Sequence, residues 1–383
     1  MIQITDPSDC CGCTACMSVC GHDAITMEPD ALGFLYPKVN MDKCVDCKLC
    51  EKVCAFNDHY DTSLNLSKPD VYGARHKDPK QVASSRSGAA FIAISDWILR
   101  QGGVVYGVGY ADHFRVVHKR ATTEEERDEF KGSKYVQSDL DHIFRQVKQD
   151  LRKGRIVLFS GTPCQTSGLN SYVGKRFREN LYLVDIVCHG VPSPYMWRDY
   201  LKFLEEKVGS KITWVNFRDK QKYGWRAHHE TFIFGGGQNK MSFPFLFYKH
   251  IMFRKSCGKC HFTNTRRPSD ITLADFWGWE KTNPNANNDD KGLSLIFCNT
   301  EKGRKLFEAV KQDLDYFPAE LENVLQPNMQ HPSEIHPKRD QFEREYATKG
   351  FKYVYYKYGE DGWRYKIRHL KPTIKKYIKK FLG

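Results

Sequence analysis

The sequence predicts an α+β protein in two parts, a small cysteine-dense module followed by a larger α/β domain built on a mixed sheet. Three observations predict it. Eight of the fourteen cysteines repeat one spacing twice near the start of the chain. From about residue 70 onward, short apolar runs alternate with patterns of helical period, as layered α/β domains require. The chain's 383 residues suffice for the small module plus one large domain or two medium ones with real cores.

The module is argued from ligand chemistry. Cys10, Cys13, Cys16, Cys20 and then Cys44, Cys47, Cys50, Cys54 both follow C-x2-C-x2-C-x3-C, the run of a bacterial-type two-cluster ferredoxin. Thiolates this close in sequence surround three irons of a cubane, and the fourth cysteine of each run reaches across to the other cluster. One 4Fe-4S cluster is therefore assigned to Cys10, Cys13, Cys16 and Cys54, and the second to Cys44, Cys47, Cys50 and Cys20. A pair of zinc sites is the competing reading. Zinc usually draws on two separated C-x2-C pairs, and three thiolates within seven residues suit it poorly. Gly21 and Ala55 stand where many such runs close with Pro, which leaves the turn less constrained. Cys11, one residue short of the pattern, reads as a bystander.

The cysteines come without a charged, apolar leader and without an apolar run long enough to span a bilayer, so a disulfide framework is not expected. The expected compartment is the reducing cytoplasm. The net charge of +13, from 59 basic and 46 acidic side chains, is concentrated at the end of the chain. Residues 362–383 hold eight basic side chains and no acidic one. There Ile374, Tyr377, Ile378, Phe381 and Leu382 share one helical face and the lysines take the other. Such a basic amphipathic helix suits peripheral contact with the anionic inner face of a membrane, and equally docking on its own domain or an acidic partner. Nucleic acid is not expected, because no recognised binding motif accompanies the charge.

The elements then follow in order. Residues 57–69 are polar and read as a linker. A strand at 71–74, a helix at 88–101 closed by Gly102 and Gly103, and strands at 104–110 and 114–119 come next. A helix opened by Thr123 and Glu124 leads to a longer one at 139–153, with Ser138 and Asp141 as capping box and Gly154 as stop. Strands are expected at 156–159, 182–188, 212–217, 230–234 and 293–298, and helices at 194–207, 244–253 and 302–314. Residues 282–291, with Asn283, Asn285, Asn287 and Asn288, read as a mobile loop. Three segments result: the ferredoxin module at 1–60, the large domain at 61–320, and a basic C-terminal extension at 321–383.

A second set of thiols lies in the large domain. Cys164 directly follows a predicted strand and Cys188 ends another, where α/β sheets place their ligands. Cys257 and Cys260 form a C-x2-C pair. Four thiols on three loops could hold a third 4Fe-4S cluster, and the spacing alone leaves zinc equally open. Cys298, inside an apolar run, reads as a core thiol.

Six motifs in order carry a resemblance. They are Ser85-Arg86-Ser87-Gly88, the Lys131 to Ser138 run beginning Lys131-Gly132-Ser133-Lys134, Leu158-Phe159-Ser160-Gly161-Thr162-Pro163-Cys164-Gln165, Cys188-His189-Gly190-Val191-Pro192-Ser193-Pro194, the Cys257/Cys260 pair, and the Asp270 to Gly278 run ending Asp275-Phe276-Trp277-Gly278. Together they resemble the signatures of the coenzyme F420 hydrogenase/dehydrogenase beta-subunit family over residues 69–320. The resemblance implies that the large domain is a flavin/iron-sulfur domain, binding FAD and a third 4Fe-4S cluster on Cys164, Cys188, Cys257 and Cys260. The chain departs from the family at Gly88-Ala89, where relatives commonly show Gly-Gly, and a Cβ there narrows the backbone's approach to a phosphate.

No G-x-G-x-x-G opens a helix after a strand, so a flavin phosphate needs another cradle. The helix start at Ser87 and Gly88 offers backbone N–H groups, Lys131 and Lys134 around Ser133 can neutralise charge, and Thr162 lies beside the third thiol set. An ordinary solvated loop is the alternative for both lysines. His189, next to Cys188, is a candidate proton donor or a hydrogen-bonding support of the ligand loop. Asp275, Trp277 and the Arg218-Asp219-Lys220 turn are weaker candidates for flavin or substrate contact. The functional expectation is an iron-sulfur flavoprotein oxidoreductase acting on an organic substrate, with a ferredoxin or a deazaflavin as redox partner. The alternatives are a non-enzymatic electron-transfer subunit of a larger complex, or an oxidoreductase whose substrate is the deazaflavin itself.

Overall fold

The computed structural model describes residues 1–239 and 244–359. In the N-terminal module, β1 (Ile25–Pro29) and β2 (Leu35–Val39) pair antiparallel, with Met27 opposite Pro37. Each cysteine run closes with a short helix, Ala15–Val19 and Leu49–Lys52. Thr14 and Lys48 enter these helices with left-handed φ values of 64° and 59°. The two runs therefore bend alike between equivalent cysteines.

The remaining strands are β3 (Asn65–His76), β4 (Val104–Tyr110), β5 (Val116–Ala121), β6 (Val157–Gly161), β7 (Leu181–Ile186), β8 (Ile212–Asn216), β9 (Thr231–Phe234), β10 (Gly237–Asn239), β11 (Ile271–Asp275), β12 (Ser294–Thr300) and β13 (Leu314–Pro318). Eight form one mixed sheet in the order β13-β3-β12-β11-β7-β6-β4-β5. Its centre, β4, β6, β7 and β11, is parallel, with Ser160 opposite Val184 and Ile271 opposite Val184 on the other side. Antiparallel strands complete both ends. A small antiparallel sheet, β10-β9-β8, lies apart.

Both faces of the parallel centre are buried, so β4, β6 and β7 carry apolar runs at 104–106, 157–159 and 181–184. Val105, Leu158 and Val184 face the helices Ala90–Arg100 and Glu301–Val310, while Val104, Val157, Phe159 and Leu183 face Ile143–Arg152 and Pro163–Val173. Ala15 of the module enters this second core. At Gly168, on the helix Pro163–Val173, an added Cβ would lie 2.6 Å from the Cys13 Sγ. Only glycine allows so close an approach of that helix to the cysteine loop. A third core joins the helix Pro194–Val208, the small sheet and the helix Arg339–Tyr358 through Trp197, Tyr200, Phe232, Phe342 and Val354.

Several expected elements differ. The last five residues of the expected linker are strand, since β3 begins at Asn65 opposite Thr300, past a register shift. The helix expected from residue 139 begins at Ile143 and has no capping box, because Ser138 Oγ is engaged with His118 Nδ1 at 3.0 Å and Gln165 Nε2 at 3.0 Å. The loop at 282–291 is fastened. Its Asn287 is buried and accepts from Arg75 Nη2 at 2.6 Å and Gly292 N at 2.8 Å. The helix expected at 302–314 ends at Val310 and the chain turns into β13. The helix expected at 244–253 is described over Pro244–Tyr248 only. The basic stretch 362–383 lies outside the described residues. Among the described residues no helix is long and apolar enough to cross a membrane.

Candidate redox sites

The structure brings the fourth cysteine of each run to the opposite run. Cys16 has Cys13, Cys10 and Cys54 as its thiol neighbours, and burial pushes the Cys54 thiol up beside Cys13 and Cys10. At the other end Cys20, Cys44, Cys47 and Cys50 line one cavity with Met1, His22 and Val39. Backbone N–H groups point at these sulfurs, Ile2 to Cys50 at 3.2 Å and Ala24 to Cys20 at 3.4 Å. Such donors favour the thiolate, the form that binds metal.

In the large domain Cys164, Cys188, Cys257 and Cys260 line a second cavity, joined there by Cys11 and Arg254. Cys164 stands at the start of the helix after β6, and Cys188 follows β7 by two residues. The pair Cys257 and Cys260 comes from the turn Lys255–Lys259. Burial pushes Cys188 up, Cys257 up to about 12 and Cys260 up to about 11. Hydrogen bonds from Cys11 and Thr162 hold Cys164 down at about 7. Four crowded, partly buried thiols have the chemistry of a ligand cage whose charge a cationic centre would offset. Among the described residues no three His, Cys, Asp or Glu side chains converge tightly enough to hold one ion directly, and the thiols instead surround cavities.

Cys11 is not a bystander in space. It is buried, hydrogen-bonded to both Cys13 and Cys164, and so lies between the first cysteine run and the second thiol set. Beside it the wholly buried Arg254 donates from Nε to the Cys10 carbonyl at 2.8 Å and from Nη2 to the Leu35 carbonyl at 2.9 Å. Its guanidinium lies 4.2 Å from the Tyr36 ring centroid. No local motif marks Arg254, whose Nε and Nη2 partners are more than 200 residues away in sequence and whose Nη1 partner, Gln137, is 117 residues away.

His189 has both ring nitrogens engaged, Nδ1 with Asn328 Oδ1 at 2.9 Å and Nε2 with His250 Nε2 at 2.7 Å. Burial lowers its pKa. This geometry holds the loop that carries Cys188.

A large cavity of about 550 Å³ opens beyond the carboxyl ends of the parallel strands, within the range of cofactor sites. Ser87, Lys131, Ser133, Lys134, Thr162, Arg218, Asp275 and Trp277 all line it. Gly88 does not. A Cβ on Gly88 would meet the Ala74 carbonyl at 2.3 Å and Ser294 N at 2.6 Å, so this glycine serves sheet packing. Ala89 lines the cavity with a left-handed φ of 65° and opens the helix Ala90–Arg100 without a side-chain cap.

The candidate cradle is partly engaged. Ser87 Oγ donates to the Leu293 carbonyl at 2.6 Å, and Lys131 Nζ binds Gln81 Oε1 and Asp128 Oδ2, each at 2.8 Å. Lys134 Nζ donates to the carbonyls of Glu129 at 2.8 Å and Lys131 at 3.0 Å. Burial holds its pKa down at about 7. Lys220 is turned away, donating to the Ser87 and Lys291 carbonyls, and Asp219 caps the helix Lys220–Tyr223. Arg86, Tyr135, His228 and Tyr248 also line the cavity and were not foreseen. The Ser85 to Gly88 motif contained Arg86, but no spacing rule marks such a residue.

The two cavities share a wall. Cys188, His189, Gly190, Val191 and Asn328 line both the thiol cage and the large cavity.

Comparison with known proteins adds three findings. Residues 154–320 match the family model for the C terminus of the coenzyme F420 hydrogenase/dehydrogenase beta subunit, and residues 9–57 match that of the 4Fe-4S dicluster domain. Among curated proteins no significant match was found. Among solved structures, a chain of the F420-reducing [NiFe] hydrogenase complex from Methanosarcina barkeri is similar at 16% identity and a TM-score of 0.46, over 76% of this chain and 91% of that one.

Proposed function

We propose, for a chain that joins a 4Fe-4S dicluster domain to a domain of the coenzyme F420 hydrogenase/dehydrogenase beta-subunit family and is thus an iron-sulfur oxidoreductase, that it exchanges electrons between a protein carrier and an organic hydride carrier of the deazaflavin type. The observation that carries this reading is the wall shared by the thiol cage and the large cavity. In this reading residues 1–60 hold two clusters, residues 61–320 hold a third cluster and FAD, and residues 321–383 form a basic extension. When bound, the clusters supply single electrons and the flavin supplies their conversion to pairs.

The residues divide the work. Cys10, Cys13, Cys16 and Cys54 would ligate one cluster and Cys44, Cys47, Cys50 and Cys20 the other. Cys164, Cys188, Cys257 and Cys260 would ligate the third, with N–H donation from Val191 to the Cys257 Sγ at 3.4 Å supporting the thiolate. Thiol donors on a cavity, with backbone N–H groups aimed at sulfur, fit the chemistry of a cubane. Lys134, the N-terminus of the helix Ala90–Arg100 and Ser133 would hold the flavin phosphates. His189 orients the Cys188 loop.

At the far end of the module Cys47 is exposed, and Met41, Val45 and Leu49 are exposed apolar side chains around it. A ferredoxin-like partner would dock there, where contact excludes water next to the outermost cluster.

Anaerobic protein analysed for iron, sulfide and flavin tests the reading. The expected content is about twelve irons and one FAD per chain, with reduced ferredoxin bleaching F420 absorbance in its presence. Iron at that level without flavin would favour a purely electron-transferring role and overturn the flavin assignment.

A further inference from the structure

We infer that Arg86 and Arg218 form an oxyanion subsite in the wall of the large cavity, built to hold a phosphate or carboxylate group. Both guanidiniums are nine-tenths buried, with 8% and 6% of the side chain exposed. Both line the cavity. Arg86 Nε and Nη1 and Arg218 Nε have no hydrogen-bond partner although they are buried. An unmade charged hydrogen bond in such a site is costly, and a bound oxyanion would satisfy it.

The charge count favours the same ligand. Asp275 is the carboxylate that faces the pair, bonded to Arg218 Nη1 at 2.8 Å and 3.9 Å from Arg86 Nε. Lys220 lies close behind, its pKa held down at about 7 by burial and by repulsion from Arg86. Burial together with Arg218 and Arg86 pushes His228 down to about 4, so it adds no charge. One carboxylate thus faces two guanidiniums.

The remaining bonds fix the guanidiniums rather than neutralise them. Arg86 Nη2 donates to the Trp225 carbonyl at 2.6 Å, and Arg218 touches Tyr135 Oη at 3.2 Å, His228 Nε2 at 3.1 Å and the Trp225 carbonyl at 3.3 Å. The Trp277 ring centroid is 5.5 Å from the Arg218 guanidinium carbon and its ring stacks on Trp225 at 4.2 Å. Arg218 is held beside the Trp277 ring and Arg86 by the Trp225 carbonyl, which leaves Arg218 Nε and Arg86 Nε and Nη1 as the fixed donors an oxyanion would take up. The anion could belong to the flavin's own phosphates or to a second ligand.

Calorimetric titration with inorganic phosphate, on flavin-loaded and on flavin-free protein, tests the subsite and separates its sources. The subsite predicts saturable phosphate binding that Arg86→Gln and Arg218→Gln each weaken at least about tenfold. Asp275→Asn, which removes the competing carboxylate, should instead tighten it several-fold. This opposite sign keeps the test open even where an arginine variant folds poorly. Binding to both protein forms assigns the subsite to a second ligand, and binding to the flavin-free form alone assigns it to flavin phosphate. Absence of phosphate binding in both forms, or affinities unmoved by the three substitutions, would overturn the subsite. Protein that takes up no FAD on anaerobic isolation or reconstitution, yet binds phosphate through these arginines, would refute the flavin assignment and leave the subsite standing.

Discussion

The buried guanidinium of Arg254 reaches across to Cys10, donating to its carbonyl at 2.8 Å and approaching its Sγ to 3.7 Å from Nη2. One fixed positive charge therefore stands between the first cysteine run and the cage containing Cys257, at whose cavity it also lies. Gly12 makes room for it, since a Cβ there would meet Arg254 Nη1 at 2.8 Å.

That placement predicts a shift in potential. A unit charge roughly 4–8 Å from a cluster, at an effective dielectric of about 20, contributes roughly 2–4 kcal/mol, or about 100–200 mV for one electron. Arg254→Gln removes a charge that stabilises the reduced, more negative cluster. Its nearest cluster should become harder to reduce by about that amount in a titration followed by electron paramagnetic resonance. A midpoint identical to wild type would contradict the electrostatic role.

The proposed ligand sets make separable predictions for three cysteines. Cys54→Ala should cost about four irons per chain and the resonance of the cluster held by Cys10, Cys13 and Cys16, while leaving that of Cys44, Cys47 and Cys50. Cys188→Ala should cost a similar amount and spare both module clusters. Cys11→Ala should keep the full iron content, because its contacts are to Cys13 and Cys164 and each cage has four other thiols. Iron and sulfide analysis with spectroscopy decides among these, and iron loss in Cys11→Ala would make it a ligand.

What the sequence disclosed depended on how local the determining contact is. The cysteine runs were legible because three thiols of each group lie within seven residues. Cys164 and Cys188 were legible because strands β6 and β7 end beside them and open α/β sheets place ligands there. Strand β11 was missed because its Ile271–Asp275 run is short and flanked by polar residues, and its place between β7 and β12 is a long-range pairing. Ser138 deceived for the same reason. Its local pattern is that of a cap, but its hydroxyl is engaged with His118 and Gln165 from other elements. Arg254 and Cys11 acquire meaning only once the module packs on the helix Pro163–Val173.

Lys134 predicts a pH dependence. Burial lowers its pKa from the ordinary 10.5 to about 7, so between those values the unfolded chain holds a proton that the folded one has shed. Stability from this side chain therefore rises with pH through that window and is lowest below it. A phosphate bound beside it favours the protonated form. Flavin affinity should accordingly fall as pH rises above about 7, by up to roughly tenfold per unit. Lys134→Met should bind flavin more weakly at about pH 6 and respond little to pH. Dissociation constants from flavin fluorescence quenching across this range check both, and a pH response unaltered in Lys134→Met would exclude the lysine as its source.

Ala89 offers a test of the helix start as a phosphate cradle. It holds a left-handed φ of 65°, a conformation that brings Cβ against the carbonyl and costs a non-glycine residue roughly 1–2 kcal/mol. Glycine removes that cost but loses more conformational freedom on folding, about 0.5–1 kcal/mol. The balance makes Ala89→Gly slightly stabilising, by up to about 1 kcal/mol, and the flavin-free protein should melt a few degrees higher. The same Cβ lies in the lining of the large cavity, at the mouth of the helix Ala90–Arg100. If the helix mouth receives a flavin phosphate, removing this Cβ lets the ligand approach the backbone more closely and flavin should bind more tightly. A higher melting temperature with unchanged flavin affinity would confine the effect to backbone strain and move the phosphate elsewhere in the cavity.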